Sequence, residues 1–336
     1  MKRAKLAVTF IVTVIVIVST YIAATSFHTN TPDAAQLPSP TATSTALSGN
    51  SVGISLHSLN SSDAQLVIDS NARWIRIDVD SNFNSAVAIA HSKGLKVLGI
   101  LDSWMFDKAT TFSLSDWQTN VSYYVSNNPS VEAWEIWNEP ANPNVNNTLL
   151  NVQLPSQANM SKIVQFYYEM VTTASPIIRQ CNSSATIVLM GGLNLYSGGD
   201  PNLQLDMDFA SQLSNTNISQ YGDAISVHAY NWVNDSNPSS AWDSYNTSLS
   251  FYKDLFPNLS IWVTETGQVY NAQDNGEVQA QYLTSALSFF NEKVAKVFWY
   301  SFHDNSDEVP SQRFGLVDDV GTHRSAYTNM RMYLMQ

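Results

Sequence analysis

Trp134-Glu135-Ile136-Trp137-Asn138-Glu139-Pro140 is the stretch from which the rest of this 336-residue chain can be read. Val131, Ala133, Trp134, Ile136 and Trp137 form an apolar, aromatic run that suits a strand buried on both faces. Asn138-Glu139-Pro140 then ends it, because proline has no N–H for a ladder and biases its predecessor toward an extended backbone. Glu139 therefore stands at the carboxyl end of a buried strand, where barrel enzymes keep their chemistry. Ile261-Trp262-Val263-Thr264-Glu265-Thr266-Gly267 has the same form: a short apolar strand, a glutamate, then a breaker.

Outward from these two stretches, short apolar strands alternate with amphipathic helices from about residue 50. Strands are predicted over 52–56, 72–79, 96–101, 131–137, 185–190, 224–227, 261–267 and 295–300. Helices are predicted over 63–71, 84–91, 114–126, 157–179, 205–214, 240–255, 277–292 and from about Ser325. Gly191-Gly192 reads as the end of the fifth strand. Unbroken strand–helix alternation argues for parallel pairing, and about 290 residues fit an α/β chain closed as a (β/α)8 TIM barrel. The rival, an open doubly wound sheet, lacks a Gly-x-Gly-x-x-Gly after the first strand.

The chain is 44% hydrophobic and 13% charged, with a formal net charge of -12. That balance excludes nucleic acid as a partner, since phosphate binding needs a basic stripe. A single cysteine, Cys181, forms no internal disulfide and reads as a small helix or core residue. Lys2, Arg3 and Lys5 precede an apolar run over 6–24, so residues 1–26 read as a signal peptide or a membrane anchor. The Thr/Ser/Pro-rich segment 27–49 reads as a linker, and 50–336 as the catalytic domain. The positive residues put the remainder outside the cell, secreted or anchored. Nine Asn-x-Ser/Thr acceptor sequences, at Asn60, Asn120, Asn146, Asn159, Asn182, Asn217, Asn234, Asn246 and Asn258, agree with a glycosylated exterior. Low charge density and scarce lysine suit acidic surroundings.

Two glutamates, one on each of two strand ends, are the equipment glycoside hydrolysis requires. Each also has a plain alternative as a rim salt bridge. Glu135, four residues before Glu139, falls on its side of the pleat and reads as a structural carboxylate. His57, Asp102 and Trp104 close the first and third strands and face the same mouth, as subsite residues or as rim. The 9 Trp, 15 Tyr and 14 Phe are core where scattered. Trp104, Trp232, Trp242 and Tyr270, in the loops, are placed to stack sugar rings. No His/Asp/Glu or Cys cluster has metal spacing and no Gly-rich phosphate loop is present, so no metal and no cofactor is expected.

At Trp137-Asn138-Glu139-Pro140 the chain resembles the clan of retaining (β/α)8 glycoside hydrolases that includes families 5 and 39. The likeness extends over residues 50 to 336. It implies that Glu139, after Asn138 on the fourth strand, is the acid/base and that Glu265, on the seventh, is the nucleophile. Arg76 on the second strand matches the clan's arginine near the nucleophile. His228-Ala229-Tyr230 resembles its His-x-Tyr, whose Tyr contacts the nucleophile. The resemblance makes Trp299 the floor of the reacting subsite and gives Asn138 the substrate 2-OH. It assigns sugar hydroxyls or the orientation of Glu139 to His228. Phe314-Gly315-Leu316-Val317-Asp318 is similar to a stretch after the eighth strand. Thr264-Glu265-Thr266-Gly267 resembles family 5, and the Trp134 stretch leans towards family 39.

The implied activity is an extracellular retaining β-glycoside hydrolase acting on a polysaccharide or oligosaccharide, an endo-β-1,4-glucanase first. Mannanase, xylanase and β-xylosidase stand behind it. The reading from another class is a barrel that binds glycan without cleaving it. A peptidase lacks a serine elbow, a metal site or a Cys/His pair.

Overall fold

Each predicted strand forms, and the sheet closes on itself. The computed structural model describes residues 47–106, 112–142, 156–195, 201–230, 238–304 and 313–336. Its strands are β1 (Val52–Leu56), β2 (Trp74–Asp78), β3 (Lys96–Leu101), β4 (Ala133–Ile136), β5 (Thr186–Asn194), β6 (Ala224–Tyr230), β7 (Ser260–Gly267) and β8 (Lys296–Trp299). They pair in parallel in chain order, and β8 returns to β1 through Phe298 opposite Gly53. Between and after them lie α1 (Ser61–Asp69), α2 (Phe83–Ser92), α3 (Leu114–Asn127), α4 (Met160–Cys181), α5 (Pro201–Ser214), α6 (Pro238–Leu255), α7 (Glu277–Phe290) and α8 (Ser325–Leu334). The chain is thus an α/β (β/α)8 TIM barrel.

Local chemistry sets the helix starts. The Asn60 side chain accepts from the Ser62 and Asp63 N–H groups at α1. Ser113 and Asp116 form a reciprocal capping box at α3.

Alternation along the strands separates two interiors. Outward residues such as Ile54, Ile75, Val97, Trp134 and Ile136 join the large core under the helices. Inward residues Trp74, Leu98, Ala133, Val188, Ala224, Trp262 and Phe298 plug the barrel with apolar side chains. Above the plug the inward positions turn polar: Ser55, Arg76, Glu135, Ser226 and Thr264 are all buried. An apolar floor under a polar mouth fixes the site at the carboxyl ends of the strands.

Several boundaries differ from expectation. β5 does not stop before Gly191-Gly192 but runs through them to Asn194, with a register irregularity between Leu189 and Leu193. β6 extends to Tyr230, so His228 and Tyr230 lie on the strand rather than after it. Asn159 is buried, and its Oδ1 accepts from the Ser156 N–H and hydroxyl, so that acceptor sequence is closed to modification. Among the described residues no helix is long and apolar enough to cross a membrane. The segments 1–26 and 27–46, the acceptors Asn146 and Asn234, and Trp232 lie outside the described residues.

Candidate active site

Arg76 is the hub of the mouth. It points inward from β2, and its guanidinium is almost wholly buried. Nε donates to Glu135 Oε2 at 2.6 Å, Nη1 to Glu265 Oε1 at 2.6 Å and Nη2 to Asn138 Oδ1 at 2.8 Å. Burial works against its charge, but the flanking Glu135 and Glu265 carboxylates outweigh that and raise its pKa further. One planar fork therefore ties β2, β4 and β7 together.

Glu265 is held on both oxygens. The Tyr230 hydroxyl donates to Oε2 at 2.5 Å while Arg76 holds Oε1. Burial alone would raise its pKa, yet the charges of His228 and Arg76 and the Tyr230 hydrogen bond bring it below the ordinary glutamate value. Tyr230 itself is pushed well up by burial and by the Glu265 charge, so it stays a donor.

Glu139 reaches the same place by an irregular backbone. Strict alternation would send Asn138 and Glu139 to opposite faces. Instead Trp137 (φ 67) and Glu139 (φ 48) both adopt positive φ. Trp137 turns outward onto Phe112 and Trp117, and Asn138 and Glu139 both enter the mouth. Glu139 N–H donates to Gly191 O at 2.5 Å. His228 Nδ1 lies 2.9 Å from Glu139 Oε1 and 3.7 Å from Glu265 Oε2. Those two oxygens can be no farther apart than the sum of these distances. That bound reaches only the bottom of the roughly 6.5–9.5 Å range of inverting pairs and leaves room for the ~5–5.5 Å of retaining ones. Nδ1 thus faces an oxygen of each glutamate. Burial lowers the His228 pKa, but Glu265 and Glu139 together raise it above the ordinary value. The opposite edge of the ring presses on Gly192, where a Cβ would lie 2.2 Å from Nε2.

A second polar group lines the β1–β3 side. His57 Nδ1 lies 2.9 Å from Asp78 Oδ2, and its Nε2 lies 3.2 Å from the Tyr300 hydroxyl. The Asp78 hydrogen bond raises the His57 pKa against its burial. Asp102 accepts from the Trp104 N–H at 2.9 Å. Burial and the Asp78 charge push the Asp102 carboxyl well above the usual range. Trp104 tilts over His57 at 6.4 Å between ring centroids. His57, Asp102 and Trp104 thus share one side of the mouth with Asp78 and Tyr300.

Trp299 does not floor this site. It is the outward residue of its strand, buried against Tyr282 of α7, and its Nε1 donates to Phe314 O at 3.1 Å. The next residue, Tyr300, faces the mouth and packs edge-on against Tyr230 and His57. Alternation on β8 could have found it: with Phe298 inside the barrel, the next inward position is 300. Asp78 follows from the same rule on β2, two residues after Arg76. Trp242 stacks on Phe289 and Tyr282, away from the mouth, and Tyr270 lies under the Arg324 guanidinium. Among the described residues no group of three His, Cys, Asp or Glu is placed to hold a metal ion.

A family model described as glycosyl hydrolase catalytic core matches residues 105–327. No curated protein sequence matches the chain. Many solved structures share the fold. A family 39 glycoside hydrolase from the gut symbiont Bacteroides cellulosilyticus WH2 superposes with a TM-score of 0.60 at 18% identity, over 84% of this chain and 63% of that one. A Bacteroides uniformis β-glucuronidase superposes with 0.61 at 13% identity, and the chain spans only 36% of its length. Thermotoga maritima Cel5A, solved with mannotriose, superposes with 0.55 at 12% identity, over 84% of this chain and 97% of that one. At these identities the likeness is one of fold.

Proposed function

Because the chain belongs to the glycosyl hydrolase catalytic core family and is a glycosidase, we propose that it cleaves β-glycosidic bonds with retention, through Glu139 and Glu265. The observation that carries this reading is His228 Nδ1 in reach of both carboxylates while Arg76 and Tyr230 hold Glu265 ionised. Glu265 attacks the anomeric carbon as the C–O bond to the leaving group breaks, and Glu139 gives its proton to that oxygen. A glycosyl–enzyme ester results. Glu139, now a carboxylate, takes a proton from water, whose oxygen attacks the same carbon and releases Glu265. Asn138, its Oδ1 held by Arg76, offers its amide N–H to the sugar 2-OH.

The substrate is a neutral β-linked glycan, with β-1,4-glucan first and mannan or xylan next. Five carboxyl groups meet in the mouth (Asp78, Asp102, Glu135, Glu139 and Glu265) against Arg76 and two histidines. A uronate would add another negative charge there, so the specificity of the glucuronidase fold neighbours is not carried over. Trp104, His57 and Tyr300 form the wall on which a neutral ring packs. The N-terminal 1–26 serves as signal or anchor and 27–49 as linker, placing the barrel outside the cell.

The test is release of reducing sugar from carboxymethylcellulose, mannan, xylan and β-1,3-glucan and from the matching aryl glycosides. Residues 50–336 are assayed beside Glu265→Gln. Activity on one polymer that vanishes in the variant, with a product of unchanged anomeric configuration, supports the reading. Inverted product sinks the retaining mechanism, and cleavage by Glu265→Gln sinks the nucleophile. Cell fractionation of the full chain tests the location: recovery in the cytosol rules out export.

A further inference from the structure

β4 and β5 lose their regular pairing just below Glu139, and a side chain from a helix stands in the gap. The ladder is regular from Thr186 N–H, which donates to Glu132 O at 2.9 Å, up to the pairing of Glu135 with Val188. Continued at the same step, it would bring Met190 N–H to Ile136 O. That bond is replaced by the hydroxyl of Tyr167 on α4, which donates to Ile136 O at 3.0 Å and accepts from Met190 N–H at 2.6 Å. Tyr167 is fully buried, so both backbone groups depend on it for their partner. Above the insertion the strands meet again at the same offset but in the other phase of the ladder, with Glu139 N–H on Gly191 O where regular pairing would place Asn138 N–H on Met190 O. Trp137, Glu139, Met190, Gly191 and Gly192, on the two sides of the gap, all have positive φ. Three of these are not glycine, a conformation that persists only where the surroundings hold it.

We infer that Tyr167 is a positioning residue for Glu139: its hydroxyl, inserted into the β4–β5 ladder, holds the paired irregularity that turns Asn138 and Glu139 together into the mouth. Remove the hydroxyl and Ile136 O and Met190 N–H are free to close on each other. In the regular phase Asn138 and Glu139 point to opposite faces and the N–H that meets β5 is that of Asn138, so Glu139 loses its tether to Gly191 O and its place beside His228. The carboxyl of Glu139 then no longer meets the leaving oxygen. This rests on Glu139 being the acid/base.

The test is Tyr167→Phe, which keeps the ring and deletes the inserted atom. The readout is kcat/KM on phenyl and 2,4-dinitrophenyl glycosides of the sugar the polymer panel identifies. A phenolate leaving group needs its proton, and a dinitrophenolate does not. The expected result is a loss of roughly 100-fold on the phenyl glycoside and less than about 3-fold on the dinitrophenyl one. Tyr252→Phe is the control: its buried hydroxyl donates to Asn194 O at 3.1 Å, on the same strand but beyond the irregularity. It should lower the melting temperature and show no such split. An equal loss on both glycosides in Tyr167→Phe, with a split in Glu139→Gln, overturns the role of Tyr167 alone. No split in Glu139→Gln overturns the assignment of Glu139, and this inference with it. Should Tyr167→Phe fail to fold, Gly191→Ala decides, since its Cβ would lie 2.7 Å from Trp137 O and press on the same gap from β5. A split is expected there, and its absence overturns the inference.

Discussion

Arg76 Nη1 and Glu265 Oε1 lie 2.6 Å apart, although 189 residues separate them in the chain. The pair is buried, and the guanidinium also serves Glu135 and Asn138. Removing the arginine strands two carboxylates in the barrel. Arg76→Met should cost about 3–5 kcal/mol of stability, as breaking other buried pairs does. Since the Arg76 charge helps to lower the Glu265 pKa, its loss raises that pKa. The acid limb of the kcat/KM profile should therefore move to higher pH. Urea unfolding and pH–rate profiles of Arg76→Lys and Arg76→Met check both effects. An unmoved acid limb would mean that Glu265 does not titrate in the rate.

Tyr230→Phe removes the hydroxyl that donates to Glu265 Oε2. A hydrogen bond to a charged group is worth about 1.5–3 kcal/mol, so kcat/KM should fall by roughly 10- to 100-fold. The acid limb should shift the same way as in the Arg76 variants. Circular dichroism should stay unchanged, because the ring remains against Phe314.

Gly192 allows His228 its place. A methyl group there would sit 2.2 Å from Nε2, on a backbone at φ 96. Gly192→Ala should displace the imidazole from Glu139, destabilise the fold by about 1–3 kcal/mol, and lower kcat more than it raises KM. Steady-state kinetics with a melting curve separate the two costs. Wild-type kinetics would show that His228 does not need its present position.

Trp299 and Tyr300 should behave oppositely. Trp299→Phe leaves a gap against α7 and should lower the melting temperature with little change in KM. Tyr300→Ala removes a wall of the mouth and should raise KM with a smaller change in stability. The reverse pattern would restore Trp299 to the sugar site.

Stability should peak in weakly acidic solution. His57 and His303 have raised pKa values, through Asp78 and Asp63 respectively, and His228 is raised by Glu265 and Glu139 despite its burial. A raised histidine stabilises fully below its unfolded value of about 6.5 and loses that contribution as pH climbs through the folded value. Glu265, lowered, contributes above about 4.3 and loses its part as pH falls through its folded value. The melting temperature should therefore be highest in weakly acidic solution, below about pH 6.5, and decline above, and the raised Asp102 carboxyl, costly to ionise in the folded state, adds to the decline. His303→Gln should flatten the alkaline decline slightly, by less than about 1 kcal/mol, because that pair is partly exposed. A flat melting temperature from pH 6 to 9 contradicts the histidine contribution.

The eight strands, their parallel order and the two glutamates closing the fourth and seventh were legible from the chain alone. Each is a local signal: an apolar run, a breaker, a carboxylate at the boundary. The side on which a residue lies was legible only while the strand kept its period of two. At Trp137 that period fails, so a strict count could not bring Asn138 and Glu139 to one mouth. On β8 the period holds, yet Trp299 drew attention as a tryptophan while the inward place belonged to Tyr300. The meeting of Arg76 with Glu135 and Glu265, and the Tyr167 hydroxyl between Ile136 and Met190, join segments 23 to 189 residues apart. No local pattern encodes such contacts. They exist because the closed barrel and its helices bring those segments together, and burial then makes every unsatisfied group there costly.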